Sequence, residues 1–540
     1  MTPESTLRLQ PDAAGPTVRD AVLQLLRELG IDTVFGNPGS TELPMFRDFP
    51  ADFRYVLGLQ EAVVVGMADG YAQATRNAAL VNLHSAAGVG HAMGNIFTAF
   101  KNQTPLIVTA GQQSRSIMPF DPFLFAAQAT DLPRPYVKWA CEPARAGDVP
   151  LALARAYRMA MQPPCGPVFV SIPADDWDQP SDWVASRRVS QAIAPDPEAI
   201  AQVAAALNAS NRPAIVVGTG VDRDGAVAQV VELAERHQAS VFVAPMTARC
   251  GFPERHRLFA GFLPALRERI VSALNGHDLI LVLGAPAFTY HVEGQGPHLP
   301  PGSRLWQIVD DPQTAAWTPR GDSVVASLHL AVQALLGQSA APIRRAPAGR
   351  AAALAVESGA TISVPYALQS LNALRQRDDV VVEEAPGSRG AMQAHLPMPG
   401  ADSFYTMASG GLGYGMPAAV GVALGRQKLG LPGRVIALIG DGSSMYSIQA
   451  LYSAAQLKLP ITFVILNNGR YAALQDFAPV FGYGPGVKPA GTDLAQLDFV
   501  RLAEGQGMEG VRVDQPGPLR EALERALGAE GPCLIELVVD

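Results

Sequence analysis

Asp441, Gly442 and Ser443 stand directly after the apolar run RVIALIG. Twenty-seven residues beyond Asp441, a second apolar run, ITFVIL, has ended in Asn467, Asn468, Gly469, Arg470 and Tyr471. Two strand ends therefore offer a carboxylate, an amide oxygen and backbone carbonyls along one edge of a sheet. Hard oxygen donors of this kind suit Mg2+ or Ca2+, and Mg2+ commonly holds phosphate groups with only one or two protein carboxylates. Gly442 and Ser443 let the backbone come close to a ligand, and the amides of a helix start favour phosphate oxygens. Either half alone reads as an ordinary turn. Together, at this spacing, they predict a metal-and-phosphate site.

The GDGS segment followed by the Asn pair resembles the diphosphate-and-metal motif of the thiamine-diphosphate enzymes. The resemblance implies thiamine diphosphate as cofactor, with Mg2+ or Ca2+ bound by Asp441, the Asn468 side chain and the Arg470 carbonyl. It also implies that Gly442, Ser443, Tyr446, Asn468 and Tyr471 line the cofactor. Such an enzyme needs a carboxylic acid in an apolar setting to polarise the aminopyrimidine, because burial lets a carboxyl share a proton with a ring nitrogen. Glu61 meets this need: it follows RYVLGLQ and opens the helical pattern AVVVGMADGYA. By the same resemblance, ASGGLGYGMP supplies the Gly410 carbonyl for the 4′-amino group and Leu412 as a wedge beneath the cofactor, with Gly411 and Gly413 allowing close approach. In EEAPGSRGAM, Ser388 is the hydroxyl candidate for the diphosphate, and the other ligands near Pro386 and Gly387 stay open.

Three further placements narrow the resemblance. GNPGST puts Ser40 on a loop after a strand, VNLHSAAG puts His84 at another strand end, and GAPAFTYH puts His291 after a strand of the middle unit. With LGLQEA, DGYAQA, AGQQ and LPRPYVKW, they resemble the benzoylformate decarboxylase branch of the family over nearly the whole chain. That implies Ser40 for the substrate carboxylate, His84 for the keto oxygen and His291 for protonation and product release, work that suits imidazole. The remaining histidines, His91, His237, His256, His277, His298, His329 and His395, read as structural or surface groups. Pro38, Leu124, Thr406, Ala473, Leu474 and Phe477 are expected around the substrate. Thr406 stands where the family carries an aromatic, so the pocket is expected to be wider or more polar. The implied reaction is decarboxylation of an aromatic 2-oxo acid to an aldehyde through the cofactor's ylide and enamine. The alternatives are a decarboxylase of branched aliphatic 2-oxo acids, an acetolactate-synthase-like carboligase, and a non-catalytic homologue that only binds the cofactor.

The elements that must hold these groups are legible as alternation. Thr17 caps the amphipathic helix VRDAVLQLLREL, which stops at Gly30. Short uninterrupted apolar runs then alternate with helical patterns, as in parallel sheets covered on both faces. Pro-, Ser-, Ala- and Arg-rich stretches near 179–197 and 337–360 read as linkers. The expected fold is therefore α/β, three doubly wound parallel-sheet domains: a pyrimidine-binding domain over 1–185, a central domain over 195–340 and a diphosphate-binding domain over 360–540. Ligands belong at the carboxyl ends of the strands.

The chain has 540 residues, 48% hydrophobic and 17% charged, enough for several cores. A net charge of −8, without a basic run, argues against nucleic acid and anionic membranes. Four scattered cysteines without a CxxC suggest reduced thiols, and no apolar run reaches the length of a membrane span. Residues 1–16 show no targeting pattern, so a cytoplasmic protein is expected. The resemblance further implies a homo-oligomer, usually a tetramer, with active sites between subunits and a small 2-oxo acid as substrate.

Overall fold

Each apolar run with polar ends becomes a strand whose two faces are both covered. The computed structural model describes residues 15–340, 342–494 and 496–540; the expectation about residues 1–16 falls almost wholly outside them. The first sheet contains β1 (Thr33–Gly36), β2 (Arg54–Leu57), β3 (Ala79–Leu83), β4 (Leu106–Gln112), β5 (Ala140–Cys141) and β6 (Val168–Pro173) in the order β2-β1-β3-β4-β6-β5. The second contains β7 (Pro213–Val217), β8 (Ser240–Val243), β9 (Phe259–Phe262), β10 (Leu279–Leu283), β11 (Arg304–Val309) and β12 (Asp322–Val325), ordered β12-β11-β10-β7-β8-β9. The third contains β13 (Val380–Glu384), β14 (Phe404–Tyr405), β15 (Val435–Gly440), β16 (Ile461–Asn467), β17 (Glu509–Val513) and β18 (Cys533–Val538), ordered β14-β13-β15-β16-β18-β17. Neighbouring strands pair in parallel throughout. Extended segments over 181–196 and 342–359 join the sheets.

In open sheets of this kind ligands bind where the strand order reverses. The reversal falls between β1 and β3 in the first sheet and between β13 and β15 in the third. Both places gather the predicted residues. In the middle sheet the reversal lies between β7 and β10, where backbones close the crevice: a Cβ on Gly220 would come within 2.9 Å of the Gly284 Cα.

Four helices matter to the site. Helix α1 (Val18–Glu28) starts in a reciprocal capping box between Thr17 and Asp20. Helices α2 (Glu61–Thr75) and α3 (Ser85–Asn102) follow β2 and β3, and α4 (Gly415–Lys428) follows the glycine-rich segment. Helices α2 and α4 are buried almost all round because they pack on each other between the first and third domains. Their backbones nearly touch: a Cβ on Gly421 would lie 1.9 Å from the Met67 carbonyl oxygen, and one on Gly70 would lie 2.2 Å from that of Ala418. One continuous apolar core joins the two domains through this contact. Among the described residues, no helix is long and apolar enough to cross a membrane.

Candidate active site

The register of the third sheet sets Gly440 opposite Leu466, so Asp441 and the Asn467–Asn468 pair leave the sheet at one edge. Asp441 Oδ1 accepts from the Gly442 amide at 2.7 Å, whereas its buried Oδ2 has no protein partner. Burial pushes this carboxyl above its ordinary range, and the amides of Gly442 and of residues 468–470 pull it back. Asn468 Oδ1 accepts from the Arg470 amide at 3.2 Å, and Gly469 turns the chain with φ +65°. The Tyr471 ring covers Gly442, where a Cβ would lie 2.4 Å from the ring, and Arg470 points its side chain outward. An orphaned carboxylate oxygen beside an amide oxygen and a turn carbonyl fits a divalent cation. Among the described residues no three His, Cys, Asp or Glu side chains gather to hold a metal. A cation here would therefore need further oxygens of the kind a diphosphate brings. The buried Ser443 and the half-exposed Ser388 flank the same edge, and the loop at Gly387 packs against Ala472 and Ala473.

The glycine-rich segment is fastened by a residue absent from the predicted set. Glu384, at the end of β13, accepts from the backbone amides of Gly413 and Tyr414, each at 2.7 Å, and of Gly415. Burial raises its carboxyl to about 7, and the three amides at the start of α4 oppose that rise. Gly410 is exposed with φ +72°, Leu412 is half-buried, and Gly413 (φ +100°) leaves room for Tyr446, itself exposed. Thr406 corrects the expectation of a pocket residue. It is fully buried; its hydroxyl donates to the Glu383 carbonyl at 2.8 Å and accepts from the Arg389 guanidinium at 2.8 Å. A hydroxyl committed inward in this way offers no polar atom to a substrate.

The edge of the first sheet carries the other half. The Gln60 side chain caps α2 by accepting from the amides of Ala62 and Val63, which leaves Glu61 in the first turn. Glu61 Oε2 meets His91 Nδ1 at 3.2 Å. Asn95 of α3 donates to the carbonyls of Ala62 at 2.6 Å and Gly413 at 3.1 Å, tying the start of α2 to the glycine segment. His84 ends β3 and opens α3. Its Nδ1 lies 2.9 Å from Glu42 Oε2, and the same carboxylate accepts from the amides of Gly39 (2.8 Å) and Gly111 (3.0 Å) and from the Thr41 hydroxyl (2.5 Å). With three other donors aimed at it, Glu42 is the acceptor. His84 Nδ1 therefore carries a proton, and Nε2 is left for other work.

Gly39 is required at its position, since a Cβ there would lie 2.1 Å from His84 Nδ1. Ser40, next to it, is exposed, as is Pro38. Ser85 holds a left-handed backbone (φ +46°), and its hydroxyl donates to the Leu124 carbonyl at 2.6 Å, anchoring that segment beside His84. The His291 ring packs against Phe477, with centroids 4.8 Å apart and the planes tilted by 55°, and Leu474 is exposed on the same short helix, Ala472–Phe477.

The chain thus forms two groups. Ser40, Glu61, His84 and Leu124 belong to the first. Ser388, Asp441, Asn468, Phe477 and His291 belong to the second. Among the described residues, no side-chain hydrogen bond or ion pair joins one set directly to the other. Glu42 and His91 lie outside the residues that the sequence marks as functional. His91 carried a signal: it follows His84 by seven residues, two helical turns, and so shares its face. Glu42 carried only its place two residues after Ser40.

Three family descriptions match this chain in order: "Thiamine pyrophosphate enzyme, N-terminal TPP binding domain" over residues 16–128, the central domain over 200–335, and the C-terminal TPP binding domain over 387–537. The chain is 44% identical over 527 residues to the benzoylformate decarboxylase of Pseudomonas aeruginosa, covering 96% of this chain and 98% of that protein. The crystal structure of benzoylformate decarboxylase from Polynucleobacter necessarius superposes with a TM-score of 0.94 at 39% identity, covering 97% of this chain and 98% of that one. A thiamine diphosphate-dependent 4-hydroxybenzoylformate decarboxylase of Rhodococcus jostii gives 0.93 at 41% identity, over 97% and 99%.

Proposed function

Because this chain belongs to the thiamine pyrophosphate enzymes, with all three of their domains in order, we propose that it decarboxylates an aromatic 2-oxo acid of the benzoylformate type to an aldehyde and CO2. The observation that carries this reading is the Gly39–His84–Glu42 arrangement beside Ser40, which offers a hydroxyl for a carboxylate and an oriented imidazole for the neighbouring keto oxygen. Thiamine diphosphate, when bound, supplies the sink for the electron pair that departing CO2 leaves behind. Asp441, Asn468 and the Arg470 carbonyl hold Mg2+, and Ser388 with the buried edge at Gly442 and Ser443 receives the diphosphate. Glu61 holds the proton shared with the pyrimidine. The Ser40 hydroxyl binds the substrate carboxylate. His84, kept in one tautomer by Glu42, presents Nε2 to the keto oxygen and can carry a second proton against the Glu42 charge. His291, exposed and steadied by Phe477, moves a proton to the product carbon, while Leu124, Ala473, Leu474 and Phe477 exclude water around the aryl group.

The site is assembled between subunits of a homo-oligomer, a tetramer, in the cytoplasm. Support comes from Phe120, Phe123 and Phe481, which a single chain leaves 81%, 93% and 67% exposed. With aldehyde in excess, carboligation to a 2-hydroxyketone follows as a side reaction. Product analysis with benzoylformate, phenylpyruvate, pyruvate and 2-oxoisovalerate tests the assignment. Benzaldehyde is expected as the fastest-formed product; predominance of isobutyraldehyde or acetolactate would overturn it.

A further inference from the structure

The segment that carries Gly410 and Leu412 has no regular structure of its own: residues 408–413 belong to no helix or strand. Its position is set from α3. Asn95, Thr98 and Asn102 follow one another at spacings of three and four, so they share one face of that helix. Asn102 Oδ1 accepts from the Ala408 amide at 2.8 Å, Thr98 Oγ1 meets Ser409 Oγ at 2.9 Å, and Asn95 Nδ2 donates to the Gly413 carbonyl at 3.1 Å. The hydroxyl directions follow. Thr98 has a single hydroxyl proton, which goes to the Gly94 carbonyl at 3.1 Å, so Ser409 donates to Thr98. Ser409 Oγ in turn accepts from the Gly411 amide at 3.0 Å. Gly411 and Gly413 are therefore both fastened to α3, and Glu384 holds the Gly413 amide from β13 at 2.7 Å. Leu412 stands between them. The three α3 side chains are buried within a single chain, so nothing here depends on which surface stays open to solvent.

We propose that Asn95, Thr98 and Asn102 are positioning residues that act through Leu412, a splint that keeps the wedge pressed beneath thiamine diphosphate. A wedge works only if it cannot retreat. The leucine side chain supplies bulk but no directional bond, so the backbone on either side must be held. Glycines at 411 and 413 allow close approach and also make the segment pliant; a helix lying alongside supplies the stiffness. The run from Gly411 N–H through the Ser409 and Thr98 hydroxyls to the Gly94 carbonyl is one chain of hydrogen bonds, each polarising the next. On the other flank, Asn95 donates its second amide proton to the Ala62 carbonyl at 2.6 Å, which fixes the orientation of the amide and keeps it on Gly413.

This role rests on the proposed cofactor reading, and the experiment keeps the two apart. Thr98→Val removes only the hydroxyl, whereas Thr98→Ser keeps it. In apoenzyme, amide hydrogen exchange at Gly411 should quicken about fivefold or more in Thr98→Val and stay near wild type in Thr98→Ser. In holoenzyme without substrate, exchange of the cofactor's C2 proton, measured per bound cofactor, should slow about tenfold or more in Thr98→Val. Thr98→Ser should restore it, and calorimetric affinity for thiamine diphosphate with Mg2+ should change less than about threefold. Asn95→Ala, which releases the other flank, should slow C2 exchange likewise. Leu412→Ala should slow it too, and adding Thr98→Val should slow it no further, because the splint acts through the wedge. Unchanged C2 exchange in Thr98→Val would overturn the splint, as would slowing that adds in full to that of Leu412→Ala, or unchanged protection of Gly411 in apoenzyme. Wild-type protein that takes up no cofactor would overturn the parent reading instead, and with it the role given to Leu412.

Discussion

Replacing Glu42 by Gln isolates the orientation of His84 from its presence. Each Glu42 oxygen accepts two hydrogen bonds: Oε1 from Gly111 N and Thr41 Oγ, Oε2 from Gly39 N and His84 Nδ1. A glutamine amide can imitate one oxygen, and its NH2 must then confront two donors. Placed at the Oε1 position, it opposes the Gly111 amide, which is buried and cannot turn away. Placed at the Oε2 position, it opposes the Gly39 amide and the imidazole. The second arrangement costs less, because the Gly39 region is half-exposed and the imidazole can answer by moving its proton to Nε2. One backbone donor is stranded, for a stability loss of about 1–2 kcal/mol, and His84 ends in the opposite tautomer without a counter-charge for its cationic form. The expected kinetics are a fall in kcat of about a hundredfold or more, a KM for the 2-oxo acid that changes little, and unchanged cofactor affinity. Steady-state decarboxylation of benzoylformate and 15N spectra of the imidazole check both halves. An inverted tautomer accompanied by kcat within about threefold of wild type would refute the reasoning.

Other perturbations give equally distinct outcomes. Gly39→Ala should displace the His84 ring and lower kcat about tenfold or more, with melting temperature and cofactor binding near wild type; normal turnover in a folded variant would remove the role of that contact. Coexpressing Glu61→Gln with Asp441→Asn, each inactive alone, should recover about a quarter of wild-type activity if sites are shared between subunits, since half of random pairs are mixed and each has one intact site; no recovery would place both halves in one chain. Glu254 bridges the central and third domains by accepting from the Met398 amide at 2.8 Å, and burial raises its carboxyl from 4.5 to about 7. Its folded pKa is the higher one, so this contribution is fully present below about 4.5 and lost as pH rises through about 7. Glu254→Gln should flatten that part of the thermal stability profile between pH 5 and 8, measured by calorimetry.

What the sequence determined by itself is local. The central strands were legible because a strand buried on both faces reads as an unbroken apolar run. The strands that lack such a run, β5, β9, β12, β14 and β17, all lie at sheet edges, where shortness or partial exposure blurs the pattern. Asp441 and Asn468 were likewise readable, since each follows its own strand and parallel register carries adjacent strand ends to one edge. Tertiary structure alone decided the contacts made across chain separation: Glu42 under His84, Glu384 over the amides of Gly413–Gly415, His91 on Glu61, and Thr406 turned inward. No local period encodes these contacts. A side chain's partner across the fold depends on which helices pack against which sheet edge, and therefore on the whole arrangement of elements rather than on neighbours in sequence.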